Sequence, residues 1–77
     1  MRAFRRLVVR RRVLVNLRSG RAVSGVVVDQ AGPLLQLKSA RVHEPGSDRA
    51  GISVDGEIVI ERDQIDFIQT FAPEVGP

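Results

Sequence analysis

The chain has 77 residues, no cysteine, no tryptophan, no tyrosine and a formal net charge of +3. A single domain of this length buries only about 60% of the surface that its unfolded chain exposes, so its core must be thin. The lack of thiols excludes a disulfide framework and a thiolate metal site, which leaves oligomerisation as the usual way to stabilise so small a domain.

Charge is divided unevenly along the chain. Residues 1–43 carry ten basic side chains and one acidic side chain, whereas residues 44–77 carry two basic and eight acidic side chains. Such asymmetry is typical of a nucleic-acid-binding arm or of an electrostatic match between neighbouring subunits. Eleven of the twelve basic residues are arginine, which suits bidentate contacts with phosphate or carboxylate. A GC-rich coding genome would produce the same bias.

Residues 1–12 predict a short basic helix or arm, because Phe4, Leu7 and Val8 fall at helical spacing among arginines. These arginines are candidate contacts with nucleic acid or with an acidic partner: Arg2, Arg5, Arg6, Arg10, Arg11 and Arg12. Like charges at this density repel one another, which favours a bound anion or acidic surface over a merely solvated helix face.

The pattern then changes to that of β-strands. Apolar and polar residues alternate over residues 13–18, which predicts a half-buried first strand that ends at the Ser19-Gly20 turn. Residues 22–29 predict a second strand, in which Gly25 indicates a sharp bend where two backbones approach closely.

Three further segments complete the predicted barrel of residues 13–71. Residues 34–42 predict a third strand, and residues 43–51 predict a polar loop. Asp55-Gly56 predicts a hairpin turn before a fourth strand at residues 57–61. Residues 65–70 alternate again and predict a fifth strand, and the Pro- and Gly-containing tail of residues 72–77 predicts no regular element. We therefore expect an all-β domain, a small barrel or roll.

Catalytic chemistry lacks the necessary side chains. His43 is the only histidine, and we interpret it as a solvated loop side chain rather than the centre of a nucleophilic triad. We therefore expect no enzyme activity, metal, cofactor or small-molecule substrate. No apolar run is long enough to cross a bilayer, so we expect no membrane contact and a cytoplasmic protein.

Two parts of the chain resemble the Sm/LSm family. Residues 13–25 are similar to the opening of that family, in which alternating apolar residues lead to a glycine turn, a basic residue and a second glycine. Asp29 with residues 34–37 is similar to the rest of the first Sm motif, and residues 57–65 are similar to the second. The resemblance implies a helix followed by a strongly bent five-stranded Sm-like (SH3-like) barrel. It also implies that the fourth and fifth strands pair with neighbouring subunits to close a homo-oligomeric ring.

Asp29, Pro33, Glu61 and Arg62 form a degenerate version of the family's pocket motif. Asp29 is retained, but Pro33 stands where the family places an asparagine that grips a base, and Glu61-Arg62 replaces the family's Arg-Gly or similar pair. A carboxylate at Glu61 would repel phosphate, which argues against the family's usual RNA pocket.

The chain also resembles short Sm-like proteins encoded among the virion structural genes of actinobacterial phages, in residues 18–25, 55–60 and 66–69. This resemblance implies a connector, capsid-associated or tail-associated subunit that binds itself and other structural proteins. We select as core or subunit-interface candidates Ile58, Ile60, Phe67 and Ile68. The alternative is an LSm-like ring that binds RNA or DNA through the arginine arm, although its three phenylalanines offer little base stacking.

Overall fold

The computed structural model describes residues 8–46 and 51–71, which form one antiparallel β-sheet of six strands. The strands are β1 (Arg12–Leu17), β2 (Ala22–Ala31), β3 (Leu34–His43), β4 (Ile52–Ser53), β5 (Glu57–Glu61) and β6 (Ile65–Thr70). Their order across the sheet is β4-β3-β2-β1-β6. Strand β5 also pairs with β3, at residues 34–38, whereas β4 pairs with Arg41 and Val42 of the same strand. A 3-10 turn, Arg62–Gln64, joins β5 to β6.

The core lies on one face of this sheet. Val13 and Val15 of β1 are fully buried, while Leu14 and Asn16, which follow each of them, are only half-buried, so the predicted alternation of the first strand is confirmed. The buried apolar residues form one cluster: Val8, Val13, Val15, Val23, Val27, Leu35, Leu37, Ala40 and Ile60. All but Val8 lie on strands, so the sheet curls around a thin core, as expected for the length.

The sheet bends at Gly25 of β2, where the backbones of β2 and β3 lie close together. The register shifts between Ser24 and Val26, and a Cβ on Gly25 would lie 3.0 Å from the carbonyl oxygen of Lys38. The predicted close approach of two backbones at Gly25 is therefore confirmed. Ser39 of β3 adopts a left-handed conformation at the same level, with φ 51, which is typical of a β-bulge.

The hairpin predicted at Asp55-Gly56 is wrong. Both β4 and β5 pair with β3, and they follow one another along it, so they form one interrupted strand instead of two paired ones. Gly56 has φ 80, and the Val54 N–H donates to the Ala40 carbonyl at 3.0 Å across the interruption. Asp55-Gly56 is a dipeptide that favours tight hairpins, but here its Gly supplies the positive φ of a break between β4 and β5, opposite Ser39 of β3.

Strand β6 departs from the strict alternation expected for residues 65–70. Asn16 pairs with Phe67 but Leu17 pairs with Ile65, so Asp66 is an extra residue in β6. This bulge turns both Ile65 and Ile68 toward the core, where they are half-buried.

The sheet is not closed into a barrel, and it has six strands instead of the predicted five. Among the described residues β5 pairs only with β3 and β6 only with β1, so no ladder joins β5 to β6. The described residues also contain no α-helical element. The predicted helix or arm of residues 1–12 lies mostly outside them, and Arg12, its last residue, pairs with Val26 in the sheet.

No helix within residues 8–46 and 51–71 is long and apolar enough to span a membrane. The predicted tail of residues 72–77 lies outside the described part of the chain.

Candidate functional site

The sheet ends in two strand edges that are unpaired among the described residues. Strand β5 is held on one side by five register pairs with β3, from Leu34–Glu61 to Lys38–Glu57. Strand β6 is held on one side by β1. The other side of each strand therefore presents main-chain N–H and C=O groups that can pair with another chain.

Each edge strand exposes one large apolar side chain. Val59 in the middle of β5 and Phe67 in β6 are both 56% exposed. Of the predicted interface candidates, Phe67 is thus available for contact, whereas Ile60 is buried in the core. Ile58 and Ile68 are half-buried and pack against the core. The sequence did not single out Val59, because three consecutive apolar residues conceal which of them faces solvent.

A short turn fixes the two edges relative to each other. The backbone N–H of Arg18 donates to the Gln64 carbonyl at 2.9 Å, and its Nε donates to the Asp63 carbonyl at 2.8 Å. On the other side of the turn, the N–H of Arg62 donates to the Pro33 carbonyl at 2.7 Å. Arg18 therefore has a structural role in the turn between β5 and β6, which its place after β1 did not indicate.

The degenerate Sm-motif positions separate into two places. Pro33, Glu61 and Arg62 come together, since Arg62 bonds Pro33 and Glu61 pairs with the neighbouring Leu34. Asp29 lies within β2, where its Oδ1 accepts a hydrogen bond from the N–H of Gln30 at 2.8 Å. The open depression beside Pro33 is lined by Pro33, Leu34, Glu61, Arg62 and Asp63, and so does not include Asp29.

Gln30 is a buried polar residue that the sequence analysis missed. It is 6% exposed and pairs with Leu35 on the core side of the sheet. Its amide nitrogen donates to the Gly32 carbonyl, which fixes the tight β2–β3 turn. No buried side-chain nitrogen or oxygen of the described residues lacks a hydrogen-bond partner, so this core position is compatible with a polar side chain.

His43 is not the solvated loop residue that the sequence predicts. It is the last residue of β3, it is half-buried, and its Nε2 lies 3.0 Å from the hydroxyl oxygen of Ser24. A Cβ on Gly51 would lie 2.7 Å from the His43 ring, so the chain returning to β4 passes directly over it. Residues 8–46 and 51–71 contain no group of three His, Cys, Asp or Glu side chains that could hold a metal ion.

The uneven charge of the sequence is divided between the strands. Residues 8–43, which include β1 to β3, carry seven basic side chains and one acidic. The described residues after 43, which include both edge strands, carry six acidic side chains and one basic. Of the arginine arm, Arg10, Arg11 and Arg12 are exposed, whereas Arg2, Arg5 and Arg6 lie outside the described residues.

The chain matches no protein-family model, and a comparison with curated proteins found no match.

Proposed function

We propose that the protein is a non-enzymatic assembly subunit that oligomerises by pairing the β5 edge of one copy with the β6 edge of the next. The observation that carries this proposal is the open sheet, whose two edges each combine unpaired backbone groups with an exposed apolar side chain, Val59 on β5 and Phe67 on β6. Strand addition of this kind obtains affinity from main-chain hydrogen bonds and specificity from the side chains that flank them.

The two edges support a head-to-tail contact. They differ in sequence and shape, since β5 is regular with Val59 at its centre and β6 carries a bulge at Asp66. A contact between two different surfaces leaves the growing oligomer with one free edge of each kind, so copies continue to add, and a ring forms where the rotation between copies closes. Strands β5 and β6 correspond to the fourth and fifth strands of the barrel implied by the Sm/LSm resemblance, and a closed Sm-like ring is the architecture we propose.

The thin core supports the same proposal. Nine buried apolar residues form the core of the described part, and five regular residues of β5 extend about 16 Å. Pairing along that length covers Val59 and Phe67, which adds buried apolar area that one copy lacks.

We further propose that the assembly is part of a phage virion, as a connector, capsid-associated or tail-associated subunit. The support for this placement is the similarity of residues 18–25, 55–60 and 66–69 to short Sm-like phage proteins. Detection of the protein by mass spectrometry in purified particles is the test, and its loss during particle purification would contradict the placement.

A charge on either edge should abolish assembly. We expect Val59→Glu and Phe67→Glu each to give monomers in size exclusion with light scattering, because either variant would place a carboxylate in the proposed contact. Both side chains are 56% exposed, so circular dichroism should show an intact fold. Ser19→Glu adds the same charge in the exposed β1–β2 turn and should leave the oligomer unchanged.

A mixture of the two edge variants tests the head-to-tail geometry. Val59→Glu retains an intact β6 edge and Phe67→Glu retains an intact β5 edge, so an equimolar mixture should form a heterodimer that cannot extend. Self-association of Phe67→Glu alone would instead show that two β5 edges pair with each other. A monomeric unmodified protein at the highest attainable concentration would contradict the assembly proposal itself.

The alternative function, an LSm-like ring that binds RNA or DNA through the arginine arm, is favoured by one observation. Arg10, Arg11 and Arg12 are exposed and form no ion pair with another described residue. Binding of labelled RNA or DNA that is lost when these three residues are changed to Gln, with the circular dichroism spectrum unchanged, would support it.

A further inference from the structure

Basic side chains of strands β1 and β3 lie near one another on the face of the sheet opposite the core. Arg12 of β1 pairs with Val26 of β2, and Val26 pairs with Lys38 of β3, so these three residues form one row across the sheet. Arg41 lies in the next row, paired with Ser24. Arg12, Lys38 and Arg41 are exposed, and residues next to them in sequence, such as Val13 and Leu37, are buried on the other face.

The backbone at Arg10 adds a fourth cation to this face. Arg10 has φ 68, and its N–H donates to the Val27 carbonyl at 2.6 Å, while the Val27 N–H donates to the Arg11 carbonyl at 3.0 Å. These bonds extend the β1–β2 pairing beyond Arg12 and fix the chain beside β2. The result is an open depression of about 320 Å³ lined by Arg10, Val26, Val27, Val28 and Lys38.

The four cations of this face form no ion pair within the described part of the chain, although Glu57 is the register partner of Lys38. No ion pair joins Arg10, Arg12 or Lys38 to a described residue, and the hydrogen bond from Arg41 reaches the Gly51 carbonyl at 3.5 Å. The acid closest in register, Glu57 opposite Lys38, accepts a hydrogen bond from Gln36 at 2.6 Å. By contrast, Arg21 at the other end of the sheet is paired with Glu44 at 3.2 Å.

We propose that this basic face, formed by Arg10, Arg12, Lys38 and Arg41, binds the phosphodiester backbone of nucleic acid. Three cations in two adjacent rows, with Arg10 beside them, match a repeating anion, and each phosphate contact releases condensed counterions. The residues that lie between these cations, Val26 and Ser24, are not aromatic, so binding would rest on phosphate contacts and not on base stacking within the patch. The inference goes beyond assembly and does not require the strand edges to pair.

The test compares two double variants that remove the same charge. Binding of a short fluorescein-labelled duplex DNA is measured by anisotropy at several salt concentrations. Lys38→Gln with Arg41→Gln should weaken binding and reduce the steepness of log affinity against log salt by about two, one for each lost phosphate contact. Arg18→Gln with Arg21→Gln removes two positive charges outside the basic face, where Arg18 Nε donates to the Asp63 carbonyl and Arg21 pairs with Glu44. It should leave the slope unchanged, and circular dichroism verifies that loss of the Arg18 bond leaves the fold intact.

Three outcomes would overturn the inference. Equal slopes for the two double variants would show that only net charge matters. Competition by poly-glutamate as effective as competition by unlabelled DNA at equal charge would indicate an acidic protein partner instead. No binding of DNA by the unmodified protein at low salt would exclude nucleic-acid binding by the basic face. Light scattering on the same samples reports assembly separately, so failure of the basic face is distinguishable from failure of the strand edges.

Discussion

Two residues of the described chain adopt a left-handed backbone without being glycine: Arg10 with φ 68 and Ser39 with φ 51. This conformation brings Cβ close to the following carbonyl oxygen and costs a non-glycine residue roughly 1–2 kcal/mol. The strain at each is balanced by hydrogen bonds of neighbouring strands, since Arg10 bonds Val27 and the Ala40 carbonyl next to Ser39 accepts from Val54. Ser39 lies within β3 at the bend, and Arg10 lies two residues before the start of β1.

Replacing Ser39 by glycine should stabilise the domain. We expect Ser39→Gly to raise the free energy of unfolding by about 0.5–1 kcal/mol, because relief of the strain exceeds the greater unfolded-state freedom of glycine. Ser53→Gly, at an exposed serine of β4 that is not left-handed, should lower it by a similar amount. Urea unfolding followed by circular dichroism measures both, and a destabilised Ser39→Gly would mean that Ser39 is not strained.

At the scale of the element, the bend in β2 depends on the absence of a side chain at Gly25. Gly25 is buried and does not have positive φ, so what it requires is space and not an unusual backbone. Its neighbours at the bend are the Lys38 carbonyl and the Leu37 side chain. A smaller separation between β2 and β3 at this point lets the sheet curl around the core.

We expect Gly25→Ala to lower the free energy of unfolding by about 1–3 kcal/mol, the usual cost of overpacking a well-packed interior. The added methyl would lie 3.0 Å from a backbone oxygen, which a rotamer change cannot relieve. Gly32→Ala is the contrasting variant, because its Cβ meets nothing within 4 Å but its φ is +56, so its cost is backbone strain alone. Unchanged stability of Gly25→Ala in urea unfolding would show that the two strands separate there without loss.

For the whole molecule, the different charges of the edge strands and of the basic face give the two proposed contacts opposite responses to salt. The edge strands carry Glu57 and Glu61 on β5 and Asp66 on β6, so like charges approach when edges pair. Salt screens that repulsion. The basic face attracts phosphate, and salt weakens that attraction steeply.

We therefore expect added salt to preserve or increase the oligomer mass while it releases bound DNA. Light scattering with absorbance at 260 nm reports both quantities in one run, because a chain without Trp and Tyr contributes little absorbance there. An oligomer that dissociates together with its DNA as salt rises would mean that nucleic acid, and not edge pairing, holds the copies together.

The sequence predicted the parts of the fold that local pattern determines. The alternation in β1 and the close approach at Gly25 follow from single strands, and both are confirmed. Asp55-Gly56 was misinterpreted because a Gly that supplies positive φ serves a hairpin and a bulge equally well. Which strand pairs with residues 57–61 is a tertiary property that the dipeptide does not encode.

The candidate sites needed cross-strand register that the sequence does not contain. Val59 and Ile60 are adjacent and both apolar, yet one is 56% exposed and the other 6%, and only pairing with β3 separates them. Arg12 and Lys38 are distant in the chain and become neighbours across Val26. The arginine arm was visible in the sequence, but its continuation onto the sheet was not.

Because the chain is interrupted between β4 and β5, a change in loop length before β4 need not change the register of β5. Strand β5 is set in register by five pairs of its own with β3, whereas β4 contributes only two. Insertions or deletions in the segment between β3 and β4 can therefore be absorbed by β4 without shifting β5. The loop sequence and length can vary to suit different neighbouring proteins, while the edge that we assign to assembly keeps its register.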